Sequence, residues 1–292
     1  MPTQAKMLVT GANGQLGRRV IDELLKKIPA DQITGLVRSE KAAIGLSALG
    51  VHAHIGSYNN PETLKTAFAG IDRLLLISSN EVGQRVAQHR NVIGTAHQAG
   101  VKLFLYTSIL NCPTSPLRLA EEHRETEAIL RESGIPYVML RNGWYTENYT
   151  RSIPAAIARG AVLGSAADGK IASAARADYA AAAAAVLLAD QPQAGCIYEL
   201  AGDEAYTLFQ FARELSSKVN KQIPYKNLTE AELKKVLLGA GLPESVAGIL
   251  ADCDIGASKG GLFDDSHQLS KLIGRLTTPI STSIAAALQE PS

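Results

Sequence analysis

The stretch "MLVTGANGQLGRRVIDELL", Met7–Leu25, decides the reading of the fold. Its first three residues form a short apolar run that suits a buried strand. The run breaks at Thr10-Gly11 and gives way to a helical pattern, with Leu16, Val20, Leu24 and then Ile28 on one face. Gly11, Gly14 and Gly17 stand at the spacing G-x-x-G-x-x-G. Glycine permits a tight turn, close approach of a pyrophosphate to the backbone, and close contact between helix and strand. Amides at the start of the helix would face the phosphates, where the helix dipole favours negative charge. A glycine triplet alone says little; one that opens a helix directly after a strand marks a dinucleotide-binding unit. The alternative is an ordinary βα turn rich in small residues.

Strand and helix signals alternate beyond this point. Strand-like runs occur at Ile33–Val37, Val51–Ile55, Arg73–Ser78, Lys102–Ser108 and Pro136–Arg141. Helical patterns lie between them at Glu40–Leu49, Pro61–Ala69, from Val82 through Val86, His89, Ile93 and Ala96, and at Leu117–Ser133. Such alternation with short connections specifies an α/β protein: a Rossmann-type, doubly wound parallel sheet covered by helices on both faces. After Tyr145 the pattern loosens into a helix at Ala180–Leu188, a strand at Cys196–Ala201, and helices at Leu208–Val219, Ala231–Leu238 and Val246–Leu250. The expected organisation is a Rossmann core over 1–150. Residues 151–292 form a smaller, mostly helical substrate-side region packed over the cofactor crevice, not an independent domain.

Composition narrows the class. Of 292 residues, 46% are hydrophobic and 20% charged, enough for a substantial core. Lys+Arg 29 against Asp+Glu 28 gives a net charge of +1, with no basic block to suggest nucleic acid. The first strand begins too early to leave room for a signal peptide. The longest apolar tract, "YAAAAAAVLLA" at Tyr179–Ala189, is shorter than the roughly 20 residues of a membrane span and reads as a packed helix. Cys112, Cys196 and Cys253 are widely spaced, which fits a reducing cytoplasm and neither a disulfide framework nor a zinc site. The histidines show no H-x-x-x-H pattern and no carboxylate cluster suggests a cation, so no metal is expected. Oligomeric state is open; a homodimer is compatible with the sequence.

In a dinucleotide fold the end of strand two reads the adenosine ribose. An acidic residue there binds the 2′-hydroxyl of NAD, and an Arg accommodates the 2′-phosphate of NADP. Strand two ends in "TGLVRSE", placing Arg38 at that position, with Glu40 two residues on. A guanidinium grips a phosphate bidentately, so NADPH is favoured. The alternative for Arg38 is a solvated surface charge.

Together, "VTGANGQLGRRVI", "GLVRS", "LLLISSNEVGQR", "LRNGWYTENY" and "GASKGGLFDDS" resemble the NmrA-like group of atypical short-chain dehydrogenases/reductases. The likeness is nearest to its bacterial NADPH-dependent quinone oxidoreductase 2 type, with the triphenylmethane reductases as relatives, and covers nearly the whole chain. The resemblance implies that Thr10, Gly11, Ala12, Asn13, Gly14 and Gln15, continuing into Leu16 and Gly17, hold the pyrophosphate. It implies that Ser78, Ser79 and Asn80 run beside the adenosine and its ribose. Asn142, Gly143, Trp144, Tyr145, Thr146 and Glu147 would line the nicotinamide end, and Ala172, Ser173, Ala174, Ala175 and Arg176 would close over the cofactor there. One departure stands near the adenine: relatives often carry Asp where this chain has Ser57, whose hydroxyl can still meet an adenine amine.

Ordinary short-chain dehydrogenases use a Tyr-x-x-x-Lys pair to move a proton at a carbonyl oxygen. None of the nine tyrosines is followed four residues later by lysine. Ser108 sits where such enzymes keep a catalytic serine, while the next helix offers His123 and Glu127 instead. The surviving chemistry is direct hydride transfer from NADPH to an acceptor that needs little acid catalysis, without a bound flavin. A quinone qualifies, because accepting hydride yields an aromatic phenolate. His123 would supply a proton, or equally be a helix histidine with a structural hydrogen bond. Trp144 and Tyr145 would form a planar wall for a flat acceptor, with Tyr145 as the second candidate catalytic side chain; a lone Trp is otherwise a core residue. Phe263 would border the pocket on resemblance only, and Gly260-Gly261 beside it is otherwise a plain turn. His89, on the buried stripe of its helix, is expected to be a satisfied core histidine. Two other readings stay open: an NADP(H)-binding redox sensor of the NmrA type, and a reductase of another planar electrophile such as a triarylmethane dye.

Overall fold

The computed structural model describes residues 5–289. The alternating half consists of β1 (Met7–Val9), α1 (Gln15–Leu25), β2 (Ile33–Val37), α2 (Glu40–Ser47), β3 (His52–Ile55), α3 (Pro61–Phe68), β4 (Arg73–Leu76), α4 (Arg85–Gln98), β5 (Leu103–Ile109), α5 (Leu119–Glu132) and β6 (Tyr137–Asn142). It continues through α6 (Glu147–Thr150), α7 (Ile153–Arg159), β7 (Val162–Gly164), α8 (Arg176–Leu188), β8 (Ile197–Leu200), α9 (Leu208–Val219), β9 (Tyr225–Asn227), α10 (Glu230–Gly239), α11 (Glu244–Ser258), α12 (Gln268–Ile273) and α13 (Ile280–Gln289).

Seven strands form one sheet in the order β3-β2-β1-β4-β5-β6-β8, and β1 to β6 pair in parallel throughout. Strand β1 is central and fully buried, with Val9 in register with Gly35 on one side and Leu75 on the other. The chain order reverses between β1 and β4, so a crevice opens outside their carboxyl ends. Alternate strand residues on one face, including Leu8, Leu36, Leu74, Leu76, Phe104, Tyr106 and Met139, form a core cluster with Phe68 of α3, Val92 and Ile93 of α4 and Leu130 of α5. The intervening residues Met7, Val9, Leu75 and Leu105 turn to the opposite face by the two-residue period of a strand. Helices α1 and α8 pack closely on each other, and the buried alanines of α8 (Ala180, Ala182, Ala183, Ala184) provide the small side chains that let them approach. That explains the alanine tract, which packs as the sequence suggested; no helix among the described residues is long and apolar enough to cross a membrane.

The chain divides into two compact units. The first runs to Ile109 and adds Glu122–Asn142 and Arg176–Tyr198; the second takes Leu110–Glu121, Gly143–Ala175 and the chain from Glu199 onward. These units do not coincide with a single cut at residue 150. Helix α8 returns to the first unit because its apolar face needs α1, a demand that local patterning does not display. The second unit contains a small parallel pair, with Val162 of β7 in register with Tyr225 of β9. Capping boxes at Thr207/Gln210 and Thr229/Glu232 start α9 and α10.

Among the boundaries that differ from the sequence expectation, those of α4 and α11 differ for a physical reason. Helix α4 begins at Arg85, and Val82 lies in the preceding loop, 48% exposed. Gly83 at φ 88° holds that loop out of helix, and its amide is satisfied by Glu122 Oε1 at 2.8 Å. Helix α11 is much longer than the short apolar pattern at Val246–Leu250, because it buries the polar Asp252 and Asp254 among its apolar residues.

Candidate functional site

The turn after β1 is fixed by its backbone. Thr10 N–H donates to Leu75 O at 3.0 Å, Ala12 N–H to Leu36 O at 3.1 Å, and Gly14 N–H closes the turn onto Gly11 O at 2.9 Å. Gly11 adopts φ 57°, the left-handed region that glycine enters without penalty. A Cβ on Gly17 would lie 2.3 Å from Gly11 O, so only glycine lets α1 start this close to the strand end. The N-cap of α1 is Gly14, which offers no side-chain acceptor to the first-turn amides. Residues Thr10 to Gly17 thus divide by role. Thr10, Ala12, Leu16 and Gly17 are buried and shape the turn from inside, whereas Asn13, Gly14 and Gln15 are exposed at the start of the helix.

Gly11, Asn13 and Gly14 open onto a cleft of about 260 Å³ in the first unit, at the carboxyl ends of its strands. The ends of β2 (Leu36, Val37, Arg38) and β3 (Gly56, Ser57, Tyr58), the segment Ile77–Glu81 after β4, and Gln88 of α4 complete its lining. Arg38, Ser57, Ser78, Ser79 and Asn80 therefore come together around one cavity, as the spacing of strand ends implied. Ser57 Oγ accepts from Asn59 N–H at 3.2 Å, which leaves its hydroxyl proton free to donate. Ser78 N–H donates to Thr107 Oγ1 at 2.9 Å.

Tyr58 and Glu81 stand in the strand-end segments that a parallel sheet turns toward its crevice, whereas Gln88 is not marked by sequence. The Tyr58 hydroxyl donates to Thr10 Oγ1 at 2.5 Å, bracing the glycine turn from the third strand; loss of solvent raises its phenol above the ordinary 10. Glu81 and Gln88 form the other wall, with Gln88 Nε2 donating to Glu81 Oε2 at 2.8 Å. Nothing in local pattern marks Gln88, which sits on a helix that looks ordinary.

The loop carrying Ser79 is clamped from below. Its N–H donates to His89 Nε2 at 2.9 Å, and its carbonyl accepts from Arg85 Nε at 2.7 Å. His89 Nδ1 meets Thr126 Oγ1 at 3.0 Å, and that hydroxyl donates to Glu122 O, so Nδ1 carries the His89 proton. Burial, reinforced by the Arg85 charge, pushes the His89 imidazole down to about 3. His89 is the buried histidine expected, and its neutral ring serves the cleft by holding Ser79.

His123 requires a correction. Its ring is buried at 6% exposure, with Nδ1 at 2.6 Å from the hydroxyl of the fully buried Tyr106. Burial first, then the charge of Arg85, holds it well below the ordinary 6.5. A neutral histidine packed in the core of the first unit is not a proton donor to a solvent-accessible acceptor. Ser108 is equally committed: it donates to Glu127 Oε1 at 2.7 Å, while Arg141 binds both oxygens of the same carboxylate at 2.9 and 2.8 Å. The i, i+4 pair on α5 is an internal brace.

Asn142 ends β6 with its side-chain oxygen buried and without a hydrogen-bond partner. In the second unit, the two sequence-distant stretches expected near a nicotinamide pair with each other. Tyr145 bridges Ala174 in parallel, Ala174 N–H donates to Trp144 O at 3.2 Å, and Thr146 N–H to Ala174 O at 2.9 Å. Thr146 Oγ1 meets Ser173 Oγ at 2.8 Å, which in turn meets the Tyr206 hydroxyl at 2.7 Å. Trp144, Tyr145 and Glu147 are half-buried, so Trp144 is not a core residue; Ala172 is buried and Ala175 half-buried. Phe263 packs against Leu110, Ala172 and Ala201, with Lys170 Nζ 5.6 Å from its ring centroid. Arg176 begins α8 and is buried. No group of side chains suited to a metal ion occurs among the described residues.

Comparison with known proteins agrees with this geometry. A family described as NAD(P)H-binding matches residues 11–190. Quinone oxidoreductase 2 of Escherichia coli (strain K12) is 54% identical over 277 residues, covering 95% of this chain and 96% of that protein. The crystal structure of the NADPH-dependent quinone oxidoreductase from Escherichia coli complexed with NADPH superposes with a TM-score of 0.94 at 53% identity, over 97% of this chain and all (100%) of that one. Triphenylmethane reductase from Citrobacter sp. matches with a TM-score of 0.93 at 37% identity, over 98% and 100% of the two chains. With a glycine turn, an uncapped helix start and an arginine at the end of strand two around one cleft, the chain belongs to the NAD(P)H-binding family.

Proposed function

We propose that the protein is an NADPH-dependent quinone oxidoreductase that passes hydride directly to the quinone, without a bound flavin. The cleft in the first unit is the observation that carries the reading: it joins the open start of α1 to Arg38 at the end of β2. These residues fit a dinucleotide with a 2′-phosphate. The amides beyond Gly14 and the backbone at Gly11 and Asn13 suit the pyrophosphate, and the Arg38 guanidinium suits the 2′-phosphate. Ser57, Ser78, Ser79 and Asn80 border the adenosine. Assignment of Asn142 to Glu147 and Ala172 to Arg176 to the nicotinamide, and of Tyr145, Trp144 and Phe263 to the acceptor, rests on resemblance to relatives named for NADPH and quinone.

When bound, NADPH supplies a hydride. The chain has no Tyr-x-x-x-Lys pair, and Ser108 and His123 are held in buried hydrogen bonds. That inventory suits an acceptor whose reduced form is a phenolate, because water protonates it without an enzymic acid. Three free cysteines support a reducing, cytoplasmic setting.

The test is turnover by purified protein without flavin absorbance, comparing NADPH with NADH on a benzoquinone or naphthoquinone and subtracting the nonenzymatic rate. Turnover with NADPH preferred is expected; NADPH binding without turnover of any quinone would sink the enzyme reading. The 37% likeness to triphenylmethane reductase favours a second substrate class, planar triarylmethane dyes, measured by decolorisation in the same assay.

A further inference from the structure

Arg38 already has an anionic partner inside the protein. Its Nη1 lies 3.1 Å from Glu81 Oε1, with the Arg38 side chain 74% and the Glu81 side chain 37% exposed. The carboxylate is held in place by its surroundings. Its Oε2 accepts from Gln88 Nε2 at 2.8 Å, and the Glu81 amide donates to Ser79 Oγ at 3.1 Å. Ser79 is in turn fixed by His89 and Arg85. A carboxylate can face only the NH2 end of the Gln88 amide, and the other end, Oε1, is buried with no partner. Gln88 therefore carries spare acceptor capacity on the wall of the same cleft.

Under the proposed function, which this inference presupposes, Arg38 receives the 2′-phosphate of NADPH. A carboxylate and a phosphate then compete for one guanidinium and repel each other. We infer that Glu81 sets the coenzyme discrimination of this protein. Its carboxylate opposes the 2′-phosphate at Arg38, and it accepts a hydrogen bond from the 2′-hydroxyl that NADH presents in the same place. Arg38 creates the preference for NADPH and Glu81 limits it.

The test compares wild type with Glu81→Gln and Arg38→Ala by fluorescence titration of NADPH and NADH, and by calorimetry with the fragments 2′,5′-ADP and 5′-AMP. Removing one exposed charge partner changes affinity by about two- to fivefold. Glu81→Gln should tighten NADPH and 2′,5′-ADP by about that factor, weaken NADH and 5′-AMP similarly, and so raise the NADPH/NADH affinity ratio about tenfold. Glu81→Asp, which withdraws the carboxylate by one methylene, should shift the ratio the same way. Arg38→Ala should collapse the ratio; if it does not, the assignment of Arg38 to the 2′-phosphate fails. If Arg38→Ala collapses the ratio while Glu81→Gln leaves it unchanged or lowers it, the Glu81 inference is overturned and the parent reading stands. Equal weakening of both coenzymes by Glu81→Gln, with an unchanged melting temperature, also overturns it, since that outcome describes a loop brace.

Discussion

Replacing Asp254 by Asn should stabilise the protein above pH 6 and leave it nearly unchanged near pH 4. Asp254 sits on α11, buried, with Oδ2 accepting from Ser165 N–H at 2.8 Å and Oδ1 3.4 Å from the Tyr149 hydroxyl. No cation lies within ion-pair distance of this carboxylate among the described residues. Burial pushes its pKa up from 3.8 to about 6, against the two hydrogen bonds that favour the charged form. The folded state thus binds this proton more tightly than the unfolded chain does. The contribution is fully present below about pH 4 and is lost as the pH rises through about 6. At 1.36 kcal/mol per pH unit the loss is roughly 3 kcal/mol, an order-of-magnitude figure. Asn keeps an acceptor for Ser165 and gains a donor toward Tyr149, so it escapes the loss. The assay is urea unfolding followed by the fluorescence of Trp144, the only tryptophan and a member of the same unit, at intervals from pH 4 to 8. The stability difference, Asn variant minus wild type, should climb from near zero to about 3 kcal/mol across that range. A flat difference, or an Asn variant less stable than wild type at pH 8, would refute the reasoning, and Asp254 would then be ionised and well solvated at no cost.

Other outcomes follow from the first unit. His89 works in the opposite sense to Asp254: with its pKa depressed from 6.5 to about 3, stability there should fall as pH drops from 6.5 toward 3, and His89→Gln should blunt that acid sensitivity. Unchanged acid unfolding in the variant would count against the Ser79 clamp. Gly17→Ala forces a Cβ to 2.3 Å from Gly11 O, so it should cost about 1–3 kcal/mol in denaturant titration and weaken NADPH at least about tenfold; a variant that binds normally would show that the turn can open. Ser108→Ala should lower stability by about 1 kcal/mol while kcat stays within about twofold, because the hydroxyl serves Glu127. A hundredfold fall in kcat would restore Ser108 as a catalytic group. His123→Gln should leave the pH profile of kcat unmoved, and a lost ionisation in that profile would make His123 the proton donor.

What sequence could show was set by local rules. The glycine spacing, the apolar period of α1 and the strand-ending Arg38 each depend on residues a few positions apart, so the dinucleotide unit and the position of the cleft at the strand ends followed from them. The nine-residue separation of Ser79 from Gln88 and the 43-residue separation of Arg38 from Glu81 carry no such period, and only folding brings those side chains to one wall. His123 shows the limit most plainly. Its place on a helix after the fifth strand suggested chemistry, but whether a helix residue faces a crevice or Tyr106 depends on a rotation of the helix that tertiary packing decides. The same holds for α8, whose alanines are silent about their partner until α1 is laid against them. The sequence by itself determined the dinucleotide turn and the parallel sheet, because both arise from backbone geometry and hydrophobic period. The tertiary structure alone decided which charges meet in the cleft and which titratable groups are buried away from it, because burial and ion pairing belong to neighbours far apart in the chain.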